Sequence, residues 1–300
     1  MSDVISMKLV EGAQHIAILW AYRASYVDHE IEQGVSRGLL ECDYHEYRLR
    51  LDVQSPDAGK KKQEFLDEVL NEPSIIGLLA VFMDFDQSLV DALAKKGKPT
   101  VFIERPLPVR GKGTIFLDHK MGARLAAQAM LDLGRKKIGF IGPCLDAGWA
   151  GSTRHNEIKS VLAERGLTLE AEDEGNYDMQ NAALKTKQLL ERVPNLDAII
   201  FSSDIQAFGG IRTLRSQGIV VPDQMAIIGF DDSDSARRTA PALGSVRQPF
   251  DQMGALGVQM ILKALKGEKD ALENITLPEE LILRGSCLPS GQKEQVYRAA

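Results

Sequence analysis

A chain of 300 residues is longer than one hydrophobic core usually fills, so the expectation is one large domain or, preferably, two lobes. Hydrophobic residues at 44% and charged residues at 26% are the balance of a globular protein. A formal charge of -6 argues against an extended basic surface, and so against nucleic-acid binding by this chain's overall charge.

The N-terminal stretch MSDVISMKLVEGAQH has no basic segment leading into a long apolar run and no small-residue cleavage signal, so export is not expected. Short apolar runs then alternate with amphipathic segments. IAILW (Ile16 to Trp20), YRLRLDV (Tyr47 to Val53), IGLLAVF (Ile76 to Phe82), TVFIE (Thr100 to Glu104) and TIFLD (Thr114 to Asp118) read as strands. EIEQGVSRGLL, KQEFLDEVL and DQSLVDALAKKG read as the helices between them. The pattern repeats with KKIGFIG (Lys136 to Gly142), a helix near His155 to Arg165, a weak strand ending at Tyr177, a helix to Arg192, DAIIFSS (Asp197 to Ser203), the helix of QAFGGIRTLRSQG, and MAIIGFD (Met225 to Asp231). SVRQPF, a long helix from Asp251 to Lys266, and extended pieces at Ile275 to Leu277 and Leu281 to Arg284 close the chain. Strict alternation predicts parallel sheets covered on both faces, in two lobes joined by crossovers with a cleft between them. Ligands of such sheets sit beyond the carboxyl ends of the strands.

Those strand ends carry the candidate chemistry. IIGFDDSD ends a buried strand on three acids. A strand followed by D-x-D resembles a haloacid-dehalogenase-type phosphotransferase, but the strand ends on Asp231, one residue early, and Ser233 stands where such enzymes usually carry Thr. Asp232, Ser233 and Asp234 therefore read as turn and capping residues, and Asp231 as the acid that leaves the sheet toward the cleft. The first loop, WAYRASYVD, holds three aromatics, an arginine and an acid. Trp20 and Tyr22 read either as stacking faces for a sugar or base or as packing beneath the cleft, and Asp28 as a hydroxyl acceptor or a helix N-cap. Arg154, at a helix start, offers a planar fork of donors for vicinal hydroxyls or a carboxylate. Tyr177, and Ser203 with Asp204, line the same opening.

Other chemistries find no support. The five histidines show no HxH or HxxxH spacing, and Cys42, Cys144 and Cys287 are odd in number and far apart, so neither a metal site nor a disulfide framework is expected. Reduced thiols fit a cytoplasmic protein. GxSxG, Walker A and GxGxxG motifs are absent, so no catalytic residue and no cofactor is expected. No apolar run approaches the roughly 20 residues of a membrane span.

Several stretches together resemble the ligand-sensing region of the LacI/GalR transcriptional regulators. VPDQMAIIGFDDSDSARRTAPALGSVRQPFDQMG is similar to its C-terminal part, with FSSDIQAFGGIRTLRSQGIVVPD before it. FIERPLP and FLDHKMGARLAAQAMLDLGRKKIGFIG match the middle, and LPEELILRGS the closing strand. The resemblance covers residues 15 to 288. It implies an α/β fold of the periplasmic-binding-protein type I kind: two doubly wound parallel-sheet lobes, a hinge of about three crossovers, and a small effector in the cleft. The expected lobes are 15–133 with 249–278, and 134–248 with 279–288, with an extension at 1–14 and a tail at 289–300. Carried over by position, Arg154 falls at the effector-gripping arginine, Asp231 at the hydroxyl-binding acid and Tyr177 at the stacking aromatic. Ser203 falls at a polar position often held by Asn, and Asp118 at the acid of a recurrent V-D-N segment. The first loop departs from the family pattern, is somewhat closer to xylose-type sensors, and leaves effector identity open.

Only fourteen residues precede the first strand, so the family's helix-turn-helix is expected outside this chain. The resulting expectation is a cytoplasmic, non-enzymatic sensor that binds a sugar or similar small polar metabolite. It would be a homodimer and reach operator DNA only through an associated module. The alternatives are a stand-alone or transport-associated solute-binding protein and, more remotely, a D-x-D phosphatase.

Overall fold

The computed structural model describes residues 8–22, 25–40, 42–83, 86–104, 113–143 and 149–298. Residues 1–7, Arg23, Ala24, residues 105–108 of the FIERPLP stretch and Cys144, all used in the sequence reading, lie outside them. In chain order the elements are β1 (His15–Ala21), α1 (Tyr26–Leu39), β2 (His45–Leu51), α2 (Ala58–Asn71), β3 (Ile75–Val81), α3 (Gln87–Lys95), β4 (Thr100–Ile103) and β5 (Thr114–Leu117). Then follow α4 (His119–Asp132), β6 (Ile138–Gly142), α5 (Trp149–Ala163), β7 (Ala171–Glu174), α6 (Met179–Arg192), β8 (Ala198–Phe201), α7 (Asp204–Ser216), β9 (Ala226–Asp231) and β10 (Gly244–Arg247). The chain ends with α8 (Phe250–Leu265), β11 (Ile275–Leu277), β12 (Glu280–Leu283) and β13 (Gln295–Tyr297).

Two compact units result, Met1–Leu117 with Pro249–Leu277 and Asp118–Gln248 with Pro278–Ala300, so the chain passes between them three times. The first sheet has the order β11-β5-β4-β3-β1-β2, with every pairing parallel. All seven residues of β1 are buried. Ile16, Ile18 and Trp20 face Ile31, Val35, Val258 and Ile261, while Ala17, Leu19 and Ala21 face Phe65, Leu66, Val69 and Leu93. A strand covered on both faces has no polar alternation, which is why it reads as a continuous apolar run. Glycines let α1 and α8 meet backbone to backbone, since a Cβ on Gly34 would lie 1.9 Å from the Asp251 carbonyl oxygen.

The second sheet has the order β13-β12-β10-β9-β8-β6-β7, parallel from β10 to β7 and antiparallel at β12 and β13. One face packs Phe140, Ile200, Ile228 and Phe230 against α4 and α5, and the other packs Ile141, Ile199, Phe201 and Ile227 against α6 and α7. Two features differ from the sequence reading. The first passage falls at Leu117/Asp118 and not after residue 133, because Ala123, Ala126, Ala127 and Met130 of α4 are buried in the second unit's core. Residues 289–300 also contribute β13, which pairs Tyr297 with Leu281. Cys42 and Cys287 are free thiols, and burial pushes Cys287 up to about 11.

Candidate ligand-binding site

In the second unit the carboxyl ends of the parallel strands and the first turns of the helices that follow them share one edge. Ser203 caps α7 by accepting from the Gln206 amide, and Asp118 caps α4 by accepting from the Met121 amide at 2.9 Å. Beside these caps lies Arg154, on α5 and 4% exposed. Its Nη1 donates to the Ser202 carbonyl at 2.8 Å, its Nη2 lies 3.2 Å from His119 Nδ1, and its guanidinium sits 4.5 Å over the Phe230 ring. The Arg154 Nε has no partner, an open donor on a buried cation.

Asp231, the last residue of β9, is half-buried and holds φ 105, with Asp232 at φ 52. Left-handed backbone at non-glycine residues costs on the order of 1–3 kcal/mol each and persists only where the surroundings enforce it. Burial holds the Asp231 carboxyl well above the usual carboxylate range, the Asp204 carboxylate adds to the rise, and the Arg154 guanidinium opposes it. Asp204, 1% exposed, accepts from Ser245 Oγ at 2.6 Å, Ser233 N at 2.7 Å and Ser233 Oγ at 2.8 Å. Burial still pushes it up to about 7 against those three donors.

A second network adjoins Arg154. His119 Nδ1 lies 2.9 Å from Glu279 Oε1, which also accepts from Gln248 Nε2 at 2.6 Å. His119, Gln248 and Glu279 each stand within two residues of one of the three passages between the units. Glu279 is 0% exposed with Oε2 unpartnered, and Gln248 Oε1 is likewise unpartnered. Gln206 is also buried. Its Oε1 accepts from Ser202 Oγ and Ser203 Oγ, and its Nε2 donates to the Gly142 carbonyl.

The residues singled out from sequence divide accordingly. Arg154 and Asp231 come together, with Ser203 and Asp118 as caps next in the chain to Asp204 and His119. Tyr177 is 41% exposed at φ 55, in the turn between β7 and α6. Trp20 is a core residue of the first unit, 1% exposed, and its Nε1 donates to Asp28 Oδ1 at 2.7 Å. Asp28 Oδ2 accepts from Ser25 N and Oγ in the capping box of α1, so both side chains are turned inward and hold each other. Tyr22 is half-buried, with the Arg50 guanidinium 4.9 Å from its ring. Asp232 is more than a turn residue. Its side chain is fully buried and pairs with Arg284 at 2.6 Å, Arg247 at 2.8 Å and Arg237 at 3.3 Å. Asp234 is exposed, so the D-x-D pair does not present two free carboxylates to one phosphate.

His119, Gln206, Gln248 and Glu279 escaped the sequence reading. Each is a polar residue beside a strand end, where its only signal is its neighbourhood in the fold. Among the described residues no group of three His, Cys, Asp or Glu is placed to hold a metal, and no helix is long and apolar enough to cross a membrane. A hollow of about 300 Å³ lined by Ile211, Ile219, Val221 and Pro241 lies at the far end of α7 from Asp204.

Comparison with known proteins bears on the family and the fold. Residues 127–287 match the family described as periplasmic binding protein-like domain. The HTH-type transcriptional regulator CelR of Thermobifida fusca is 29% identical over 231 residues, 75% of this chain and 67% of its own length. The ribose operon repressor of Haemophilus influenzae is 26% identical over 259 residues, 86% of this chain and 76% of its own. A solved transcriptional regulator CelR-cellobiose complex superimposes with a TM-score of 0.78 at 24% identity, covering 92% of this chain and 86% of that one. The chain thus belongs to the periplasmic-binding-protein-like domain family, and the proteins it is similar to are transcriptional regulators.

Proposed function

We propose that the second unit binds a sugar or similar small polyhydroxylated effector through Arg154 and Asp231, and that binding controls the DNA affinity of an associated module. The observation that carries this reading is the unpartnered Nε of buried Arg154 beside the strained, half-buried Asp231. A hydroxyl both accepts and donates, so one diol can accept a hydrogen bond from Arg154 Nε–H and donate one to an Asp231 oxygen. Tyr177, exposed on the same edge, supplies an apolar face for the C–H side of a sugar ring. One relative's name refers to a ribose operon and one similar structure is a complex with cellobiose, which makes pentoses and glucosides the first probes. The effector acts only through its differential affinity for two states of the chain, and a homodimer reading operator DNA is the form in which such a bias reaches transcription.

Thermal-shift titration with ribose, xylose, glucose and cellobiose tests the reading. Sugar at about 100 Kd stabilises the folded state by about 2.7 kcal/mol. The expected outcome is a rise in Tm with at least one of these sugars that Arg154→Ala and Asp231→Ala both abolish. Variants that respond as the parent chain does would remove these two residues from the site.

A further inference from the structure

We propose that the last strand, β13, is a positioning element for the ligand-binding acid: ion pairs at its two ends hold Asp232, and through Asp232 they fix the left-handed backbone of Asp231. The inference rests on Asp231 as a ligand residue and adds what sets its direction. β13 has three residues, all exposed, and pairs Gln295, Val296 and Tyr297 with Leu283, Ile282 and Leu281 at the edge of the sheet. So short a strand has no buried face to hold it. Charges hold it instead, at both ends. Just before β13, Glu294 accepts from Arg284 Nε at 2.6 Å, and Arg284 Nη1 lies 2.6 Å from Asp232 Oδ1. Just after it, Arg298 Nε donates to Glu280 at 2.5 Å, Glu280 lies 3.5 Å from Arg247 Nη1, and Arg247 Nε donates to Asp232 Oδ2 at 2.8 Å. Two routes of alternating charge thus leave one short strand and end on one buried carboxylate, next in the chain to Asp231.

The backbone explains why Asp232 matters to its neighbour. Asp231 and Asp232 are consecutive non-glycine residues at positive φ, a conformation that persists only where the surroundings enforce it. Up to Asp231 the chain is held by the ladder between β9 and β10. Beyond it the chain is held by Asp232, whose amide donates to Ser245 Oγ at 3.0 Å and whose carboxylate takes the arginines. The two routes are unequal. The Arg284 side chain is 4% exposed and the Arg298 side chain 71%, so the Glu294 route runs through the drier charge, where a pair is screened less. Release of β13 opens Arg284 to water, weakens its hold on Asp232 and frees the strained backbone to relax toward the extended form.

Three variants test this. Glu294→Lys combined with Arg298→Glu reverses both end charges, Glu294→Gln is milder, and Lys293→Glu changes charge without breaking an ion pair among the described residues. One-bond Cα–Hα couplings of Asp231 and Asp232 report the sign of φ, and the amide signals of β13 report its docking. The methyl signals of Ile141 and Ile199, in the core on one face of the second sheet, report that the unit stays folded. The double reversal should undock β13 and lower the left-handed fraction at Asp231. Calorimetry with ribose, xylose, glucose and cellobiose supplies a matching number, since an acid in its binding conformation about one tenth of the time raises Kd about tenfold. Glu294→Gln should move both readouts the same way by less, and Lys293→Glu should move neither. β13 that stays docked after both reversals, or that is released while Asp231 keeps its couplings, overturns the proposal. A weakened Kd with unchanged couplings overturns it as well. Where the double variant unfolds, the Glu294→Gln couplings decide. Sugar binding indifferent to Asp231→Ala would end the ligand assignment beneath, and the couplings at Asp231 would still decide whether β13 positions that residue.

Discussion

Asp204 shows two opposed effects in one side chain. Three donors favour its charged form, yet burial, with the Asp232 charge adding to it, pushes it up to about 7. A carboxyl whose folded pKa lies above its unfolded value of 3.8 binds more protons in the folded state between those two values. Its contribution to stability is therefore complete below about 4 and is lost as pH rises through about 7; Asp231 works in the same direction. Urea unfolding from pH 4 to 8 should show Asp204→Asn gaining on the parent chain as pH rises, and parallel profiles would contradict this. At this scale the sequence was informative where geometry is local. Asp231 could be picked out because it is the residue on which an apolar strand ends. Trp20 was legible too, since alternation sets it on the same face as Ile16 and Ile18, but the aromatic richness of the following loop drew it toward the ligand. Asp232 was not legible, because its three arginines arrive from positions 237, 247 and 284 through the fold.

That ion cluster joins elements as well as residues. Asp232 follows β9, Arg247 ends β10, Arg284 follows β12, and Arg284 Nε also holds Glu294 at 2.6 Å just ahead of β13. Removing the acid leaves Arg284, itself nearly buried, with Glu294 and the Leu243 carbonyl as its partners among the described residues. Asp232→Ala should cost about 3–5 kcal/mol in urea unfolding, the range for breaking a buried ion pair by deleting one partner. A loss within the roughly 0–1 kcal/mol of a surface pair would show that the cluster is solvated and dispensable. Helices and buried strands were readable from periodicity because each buries a regular face. β13 was not, because QVY is exposed along its length and is a strand only by pairing with β12. The assignment of α4 to the second unit was equally hidden, since its alanines would suit either core and only packing chooses.

For the whole molecule, alternation of strand and helix was sufficient to predict two parallel-sheet units, and the family resemblance supplied their three connections. The site needed the fold. His119, Gln248 and Glu279 are far apart in sequence and meet because each flanks one of those connections, next to Arg154. Arg154 reaches this network through His119, so the proposed effector would act on it by way of that one contact. The most direct test of the central claim is a crystal structure of the chain with the neutral sugar that raises its Tm most. The account predicts sugar hydroxyls within hydrogen-bond distance of both Arg154 Nε and an Asp231 carboxylate oxygen. A sugar bound elsewhere, with both groups left as they are here, would contradict it.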